Sequence, residues 1–276
     1  MKKKIEIIIS VVCLLLVVGL GACLFYPYIT RTVNNIKQEK QYEEYNKEIK
    51  KAKKNDININ NQSKKIEKNR NYSKVLNATQ NYNSNNMIKD YNKKSKKNTK
   101  TKTLSQLKEN IIKYNKKIYE EGQGNLNENS YKKASFDLKQ YGISSSIYGY
   151  LTISKIDLHM PIYLGCNNYT MSLGAAHLSQ TSIPLGGINS NAVIGGHCGY
   201  GYNDYFRYIE KLRIGDKIKI KTPFNNLTYI VSKRKIIKPI TNDNFLIRSG
   251  KDMITLFTCY PYPTNKYRIC IFAERK

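Results

Sequence analysis

MITLFTCYPYPTNKYRICIF, residues 253–272, contains two runs of β-branched and aromatic residues separated by a proline-containing break. Runs of this kind, bounded by Pro and Asn, predict two neighbouring strands joined by a short loop. The first run ends near Cys259, and the second begins with Arg268. The segment therefore predicts a thiol and a guanidinium delivered from the ends of adjacent strands.

Similar β-type runs, separated by Gly, Pro and Asn, fill the preceding part of the chain. They are YGYLTIS, MPIYLG, NAVIGG, DKIKIKT and LTYIVSKRKII, all within residues 148–237. Seven or eight strands at this spacing, with few helical segments between them, predict a mainly β fold that closes into a barrel or nearly does so. We assign this domain to residues 147–276, which is enough chain for one hydrophobic core.

The N-terminus carries an uncharged apolar run, IIISVVCLLLVVGLGACLFY, at residues 7–26. It is long enough to cross a hydrocarbon core of about 30 Å as a helix. Lysines at positions 2–4 favour a cytoplasmic N-terminus, although basic residues after the run weaken that orientation. The alternative is a cleaved or lipidated signal peptide, because LGAC at 20–23 loosely resembles a lipoprotein processing site. We predict a single-pass anchor in the cell membrane over residues 1–30, with the rest of the chain extracytoplasmic.

Residues 31–102 are rich in Asn and Lys and show almost no sustained apolar periodicity. Such a segment buries too little surface to offset the entropy of ordering, so we predict a disordered, flexible linker. The formal net charge of +27 is compatible with binding to nucleic acid or with a position beside an anionic membrane or cell wall. The apolar run favours the second explanation, and we expect no nucleic-acid partner.

Between the linker and the barrel we predict an N-terminal helical segment over residues 103–146. From Thr103 to Glu121 the apolar residues recur at near-helical spacing, and Gly122 and Gly124 follow. This pattern is typical of one amphipathic helix that ends at the glycines.

Three side chains form a candidate catalytic group. A free cysteine is often a small buried hydrophobe, but Cys259 ends a strand next to a proline-containing loop, where a side chain is exposed on a rigid support. His197 ends another β-run between glycines, and a histidine can carry the proton of a thiol. Arg268 keeps its charge and is suited to hold a carbonyl or a developing oxyanion.

These residues carry a family resemblance. TLFTCYPYPTNKYR resembles the sortase active-site segment, TLxTC followed by arginine, and its fuller form TCxPYxxNxxR is similar to that of pilin-type class C sortases. HLSQTSIPLGGINSNAVIGGHCGYG resembles the segment that delivers the sortase histidine. The resemblance implies an eight-stranded β-barrel in which Cys259 is the nucleophile, His197 the acid/base partner and Arg268 the substrate or oxyanion holder.

The resemblance also implies a function. A membrane-anchored sortase would cleave an LPxTG-like C-terminal sorting signal of secreted proteins through a thioester and transfer the acyl group to an amine. The amine would belong to a cell-wall precursor or to a pilin lysine, in surface-protein anchoring or pilus assembly. The chain has no Asp-Pro-aromatic lid motif of the kind class C sortases often carry. Two alternatives stay open, a cysteine peptidase that only hydrolyses and a non-catalytic barrel that binds wall or peptide.

Other polar residues have weaker signals. We expect Thr258, Tyr260 and Tyr262 to contact substrate, although a strand threonine and loop tyrosines are also common structural residues. Cys198 is either a bystander or a second thiol open to oxidation. His159 and His177 lack partners at metal-ligand spacing, so we expect structural histidines, no metal and no cofactor, with any calcium requirement left open.

Overall fold

The barrel is closed and contains eight strands. The computed structural model describes residues 2–77, 102–123, 129–201, 203–239 and 245–276. The strands hydrogen-bond in the order β1-β2-β3-β4-β7-β8-β6-β5. Their bounds are β1 Ile147–Ile153, β2 Leu158–Leu164, β3 Ala175–His177, β4 Ser190–Gly195, β5 Lys217–Lys221, β6 Asn226–Ile237, β7 Asp252–Tyr260 and β8 Tyr267–Arg275. The pairs β2–β3 and β4–β7 are parallel, whereas the other neighbours are antiparallel. The predicted barrel is confirmed.

Side chains along the strands alternate between the barrel interior and the outer surface. In β5, KIKIK, Ile218 and Ile220 are buried while the lysines between and beside them are not. Successive strand residues point to opposite faces, so this pattern directs the isoleucines inward and the charges outward. Every strand contributes apolar side chains to the interior, and the short β3 contributes only an alanine. The barrel interior is therefore filled with side chains, so a binding or catalytic site is expected at the rim of the barrel.

Strand β3 is not among the predicted β-type runs, because it has only three residues. It pairs with β2 on one side and with β4 on the other, and so closes the sheet. His177 is the last residue of this strand. Its Nε2 contacts the carbonyl oxygen of Ser182 at 2.9 Å, and burial lowers the pKa of His177 to about 4. The expected structural part for this histidine fits that position.

Helix α2, Leu104–Glu120, confirms the predicted amphipathic helix. The side chain of Thr103 accepts from the backbone N–H of Gln106, and the Gln106 side chain accepts from the backbone N–H of Thr103. This reciprocal capping box satisfies two donors that a helix start leaves free. The buried face consists of Leu104, Leu107, Ile111 and Ile118. A short helix, α3, spans Asn168–Leu173, and a 3-10 helix spans Leu138–Tyr141.

The N-terminal helix, α1, spans Lys2–Asn77 without interruption. Within the described residues it is the one helix long and apolar enough to cross a membrane, judged by length and composition. The prediction of a disordered linker is wrong for residues 31–77, which are helical. Residues 78–101 lie outside the described part of the chain.

The linker prediction is wrong because the Asn/Lys-rich segment also contains a narrow stripe of apolar residues, which its average composition does not reveal. Tyr45, Ile49 and Ala52 recur at helical spacing, and all three are buried in a cluster with residues of α2 and β1. The Tyr45 hydroxyl donates to the carbonyl oxygen of Tyr148 at 3.3 Å. Tertiary packing of this stripe stabilises a helix that composition alone does not favour.

Polar contacts also hold α1 against the barrel. Glu48 accepts hydrogen bonds from the backbone N–H groups of Ser144 and Ser145, just before β1. Near the apolar run, Arg31 pairs with Asp204 at 2.6 Å. The helix is therefore held against the barrel at both ends of the contact.

Candidate active site

The register of two parallel strands places His197 beside Cys259. Gly195, the last residue of β4, pairs with Phe257 of β7. The next N–H, that of Gly196, donates to the carbonyl oxygen of Phe257 at 3.3 Å. His197 and Cys259 each follow this paired position by two residues, so they leave adjacent strands at the same level. Neighbouring strands lie about 4.8 Å apart.

Arg268 joins the group from the next strand. Cys259 of β7 and Arg268 of β8 are direct partners in the antiparallel ladder. Residues opposite each other in such a ladder have Cβ atoms about 5 Å apart. Three adjacent strands thus bring His197, Cys259 and Arg268 to one end of the barrel, the arrangement that the sequence predicts.

The three side chains lie at the boundary between core and solvent. Cys259 is a free thiol and, like His197 and Arg268, is partly exposed. One terminal nitrogen of Arg268, Nη1, donates to the carbonyl oxygens of Asn265 and Tyr267 at 3.1 and 2.9 Å. These bonds hold the guanidinium against the loop that joins β7 to β8. A thiol, an imidazole and an oriented guanidinium are the groups needed for acyl transfer through a thioester.

Two tyrosines cover the imidazole. The ring of Tyr200 stacks on His197 with centroids 4.8 Å apart and planes 15° apart, and Tyr205 meets the imidazole edge-on at 6.3 Å. The Tyr205 hydroxyl donates to the carbonyl oxygen of Ser172 at 2.6 Å, which fixes that ring. Partial burial lowers the pKa of His197. The enclosure therefore favours the neutral imidazole.

Glycine at position 196 permits this enclosure. A Cβ there would lie 2.8 Å from the ring of Phe206, closer than real Cβ contacts allow. The backbone N–H of Phe206 donates to the carbonyl oxygen of His197 at 2.9 Å. Close packing of Phe206 on Gly196 thus fixes the backbone that carries the imidazole.

Arg207 connects the two loops that flank the site. Its guanidinium lies 4.1 Å from the ring centroid of Tyr262, and its Nη1 lies 3.6 Å from Asp204. Tyr262 belongs to the loop after Cys259, whereas Arg207 belongs to the loop after His197. A cation–π contact therefore ties together the segments that follow the histidine and the cysteine.

The three weaker candidates occupy different positions. The Thr258 hydroxyl donates to the carbonyl oxygen of Gly196 at 2.7 Å, so it already joins β7 to the end of β4. Tyr260 packs against the barrel core, and Tyr262 is 53% exposed. Their contact with substrate stays a prediction.

The other cysteines near the site are buried. Burial raises the pKa of the Cys198 thiol, and the neighbouring Cys259 raises it further. Cys270 lies below Arg268 on β8, and burial raises its pKa to about 12. A buried thiol with a raised pKa is a poor nucleophile, so the accessible candidate is Cys259.

Sequence reasoning missed Tyr200 and Arg207. Nothing in GHCGYG tells which way a loop tyrosine turns, and Arg207 is separated from Tyr262 by more than 50 residues. Both contacts depend on the tertiary packing of loops. Among the described residues, no group of three His, Cys, Asp or Glu side chains is arranged to hold a metal ion.

Comparisons with known proteins place this geometry in a family. A model of the sortase domain matches residues 151–276. Sortase D of Bacillus subtilis is 29% identical over 164 residues, which is 59% of this chain and 78% of that protein. The structure of Clostridium perfringens sortase C with the C-terminal cell wall sorting motif is similar at a TM-score of 0.54 and 30% identity, covering 70% of this chain and 99% of that chain.

A second solved structure agrees. Streptococcus agalactiae sortase C1 in complex with MTSET has a TM-score of 0.55 and 27% identity, covering 61% of this chain and 86% of that chain. The family match spans nearly the whole barrel, and the structural likeness extends N-terminal to it. The chain belongs to the sortase family, whose members are cysteine transpeptidases.

Proposed function

We propose that this sortase is anchored in the membrane by α1 and cleaves an LPxTG-like sorting signal through a thioester on Cys259. The acyl group then passes to an amine acceptor. The observation that carries the proposal is the shared register of β4, β7 and β8, which brings His197, Cys259 and Arg268 to the same rim. A mid-strand cysteine would instead be enclosed, as Cys270 is.

The first half-reaction forms the acyl-enzyme. The Cys259 thiolate attacks the scissile carbonyl carbon, a C–S bond forms, and the carbonyl electrons move onto oxygen. Collapse of this intermediate breaks the C–N bond, and His197 gives a proton to the departing amine. The product is a thioester together with the released C-terminal fragment.

The second half-reaction consumes the thioester. An incoming amine attacks the same carbonyl carbon, His197 accepts the proton of the amine, and Cys259 departs as thiolate. A lowered pKa of His197 suits this step, because the neutral imidazole is the form that accepts a proton. The amine must be held close to the thioester to compete with water.

Arg268 stabilises the carbonyl oxygen in both half-reactions. Its Nη1 is held by the Asn265 and Tyr267 carbonyls, so the remaining donors are oriented before substrate binds. A pre-oriented donor needs no reorganisation as negative charge develops on the oxygen. Thr258, Tyr260 and Tyr262 would contact the substrate next to this position.

A similar structure and the sequence motifs support a substrate class. One similar structure is of a sortase C solved with a cell wall sorting motif. For this chain we propose secreted proteins that carry a C-terminal sorting signal, with a cell-wall precursor amine or a pilin lysine as acceptor. The apolar residues 7–26 of α1 would hold the enzyme at the outer face of the cell membrane, where such substrates emerge.

Intact-mass analysis tests the proposal. The full chain in detergent is incubated with an LPxTG-like peptide, with and without an added amine such as a lysine-containing peptide. We expect a thioester adduct on Cys259 and, with the amine, a ligated product. Cys259→Ala should form no adduct, whereas the matched control Cys198→Ala, which removes the neighbouring buried thiol, should keep it.

The alternatives predict different products. Hydrolysed peptide alone, whatever the amine concentration, would identify a cysteine peptidase. A Cys259 that stays unreactive towards thiol reagents and forms no adduct would identify a non-catalytic binding barrel. Adduct formation in Cys259→Ala would place the nucleophile elsewhere.

A further inference from the structure

Helix α1 runs the full height of the barrel wall and leaves it at the end that carries Cys259. The antiparallel pairs β8–β6, β6–β5 and β5–β1 make β1 point towards that end. Tyr45 contacts Tyr148 near the start of β1, and Arg31 contacts Asp204 in the loop that follows His197. The 14 residues from Tyr45 to Arg31 span about 21 Å of helix, close to the length of a seven-residue strand.

The apolar run begins almost where this contact ends. Tyr26, the last residue of the run, precedes Arg31 by five residues, or about 8 Å of helix. The loop after His197 extends past Arg31, towards the N-terminus of α1. A cleft of about 390 Å³ lies between Leu24, Tyr28 and Arg31 on α1 and the loop residues Gly201, Asn203, Asp204 and Arg207. Leu24 is itself part of the apolar run, so the loop lies level with the end of that run.

This barrel end has the composition of a lipid interface. Tyr200 and Tyr262 are each more than half exposed, and Tyr267 is also exposed. Lys266 is exposed beside them, and Arg207 is partly exposed. Tyrosines are enriched where a membrane meets water, and basic side chains are attracted to anionic headgroups.

We propose that the membrane-facing end, formed by residues 199–201, 203–207 and 261–267, is a docking surface for a phospholipid bilayer with anionic headgroups. The proposal rests on α1 being the membrane anchor. Polar headgroup layers add about 5 to 8 Å on each side of the hydrocarbon core, which matches the helical distance from Tyr26 to Arg31. The thiol of Cys259 then opens towards the membrane, and both substrates must approach along its surface.

Photo-crosslinking of the full chain tests the surface. The protein is reconstituted in vesicles of phosphatidylglycerol and phosphatidylcholine, with p-benzoylphenylalanine in place of one exposed residue. Lys266→p-benzoylphenylalanine probes the membrane-facing end. Ile188→p-benzoylphenylalanine is the matched control, because Ile188 is 71% exposed just before β4, at the opposite end of the barrel. Both positions are exposed, so the fold tolerates the change.

Lipid adducts are quantified by mass spectrometry after irradiation. We expect about tenfold more adduct at position 266 than at position 188, since the control lies a strand length, about 20 Å, further from the headgroups. Equal yields, or an excess at 188, in protein that resists alkaline extraction from the vesicles would overturn the docking surface while leaving the anchor intact. Release of the protein by alkaline extraction would overturn the anchor and, with it, the docking surface.

Discussion

At the scale of single residues, the enclosure of His197 sets its chemistry. Tyr200 stacks on one face of the imidazole, Tyr205 meets it edge-on, and burial lowers its pKa. Removing water from around an imidazole disfavours the charged form. The proposed mechanism needs both forms in turn, so the cover tunes how much of each is present at a given pH.

Tyr200→Ala should raise the pKa of His197 towards its ordinary value. The folded-state pKa is depressed by desolvation, so removing the stacked ring removes part of the depression and protonation persists to higher pH. Histidine NMR titration measures the change directly, and the pH profile of peptide cleavage should move upward with it. Tyr169→Ala, at an exposed tyrosine of α3, serves as the control. If the pKa of His197 stays constant or falls in Tyr200→Ala, Tyr200 does not lower that pKa by excluding water.

Arg268→Lys should lose much of the activity although the charge is conserved. Lysine lacks the planar fork of donors that the Asn265 and Tyr267 carbonyls hold in place. Loss of one oxyanion donor costs about two to three orders of magnitude in turnover, which sets the scale for Arg268→Ala. Acylation rates would be measured by rapid quench, with the exposed Arg248→Lys as the control. Near-normal acylation by Arg268→Lys would exclude the donor assignment.

Sequence reasoning brought these catalytic candidates together but not their surroundings. Cys259 and Arg268 are close in the chain and flank a loop, and His197 ends a separate β-run, so each is marked locally. The stacking of Tyr200 and the contact of Arg207 with Tyr262 depend on loop conformations with no local signal. Local patterns therefore predict which groups react, and tertiary packing decides how they are tuned.

At the scale of elements, α1 shows how average composition misleads. The segment 31–77 is Asn- and Lys-rich, and a composition argument predicts disorder. Four positions at helical spacing, Tyr42, Tyr45, Ile49 and Ala52, pack onto the body of the protein. Burial of such a stripe supplies the free energy that the polar face lacks. The short β3 was missed for a different reason, because three residues carry no period.

Tyr45→Ala should destabilise the folded protein by about 3 kcal/mol, because it removes a fully buried ring from the seat of α1. Ile36→Ala on the same helix is the control, since Ile36 is exposed and its removal should change the free energy of unfolding by less than about 0.5 kcal/mol. Urea denaturation of the full chain in detergent compares the two. Equal, small effects would mean that α1 does not pack on the barrel in solution.

At the scale of the whole molecule, a helix packed on the barrel replaces the flexible tether predicted for residues 31–77. A disordered linker would let the barrel sample many heights and orientations. A helix that continues from the apolar run and packs along the barrel wall instead fixes the position of the barrel relative to that run. With the apolar run as the proposed membrane anchor, the site would then lie at one distance from the bilayer.

A helical insertion tests this fixed distance. Seven helix-forming residues placed between Ile29 and Thr30 add about 10 Å and nearly two whole turns, so the barrel rises with little rotation. Substrates are sorting peptides fused to a membrane span through spacers of graded length, in the same vesicles as the enzyme. The spacer length that gives fastest cleavage should increase by about three residues, because an extended chain covers about 3.3 Å per residue. Cleavage of the same peptide free in solution should stay unchanged, since the site itself is untouched. An unchanged optimum would show that the barrel moves freely above the membrane, as a flexible tether would allow.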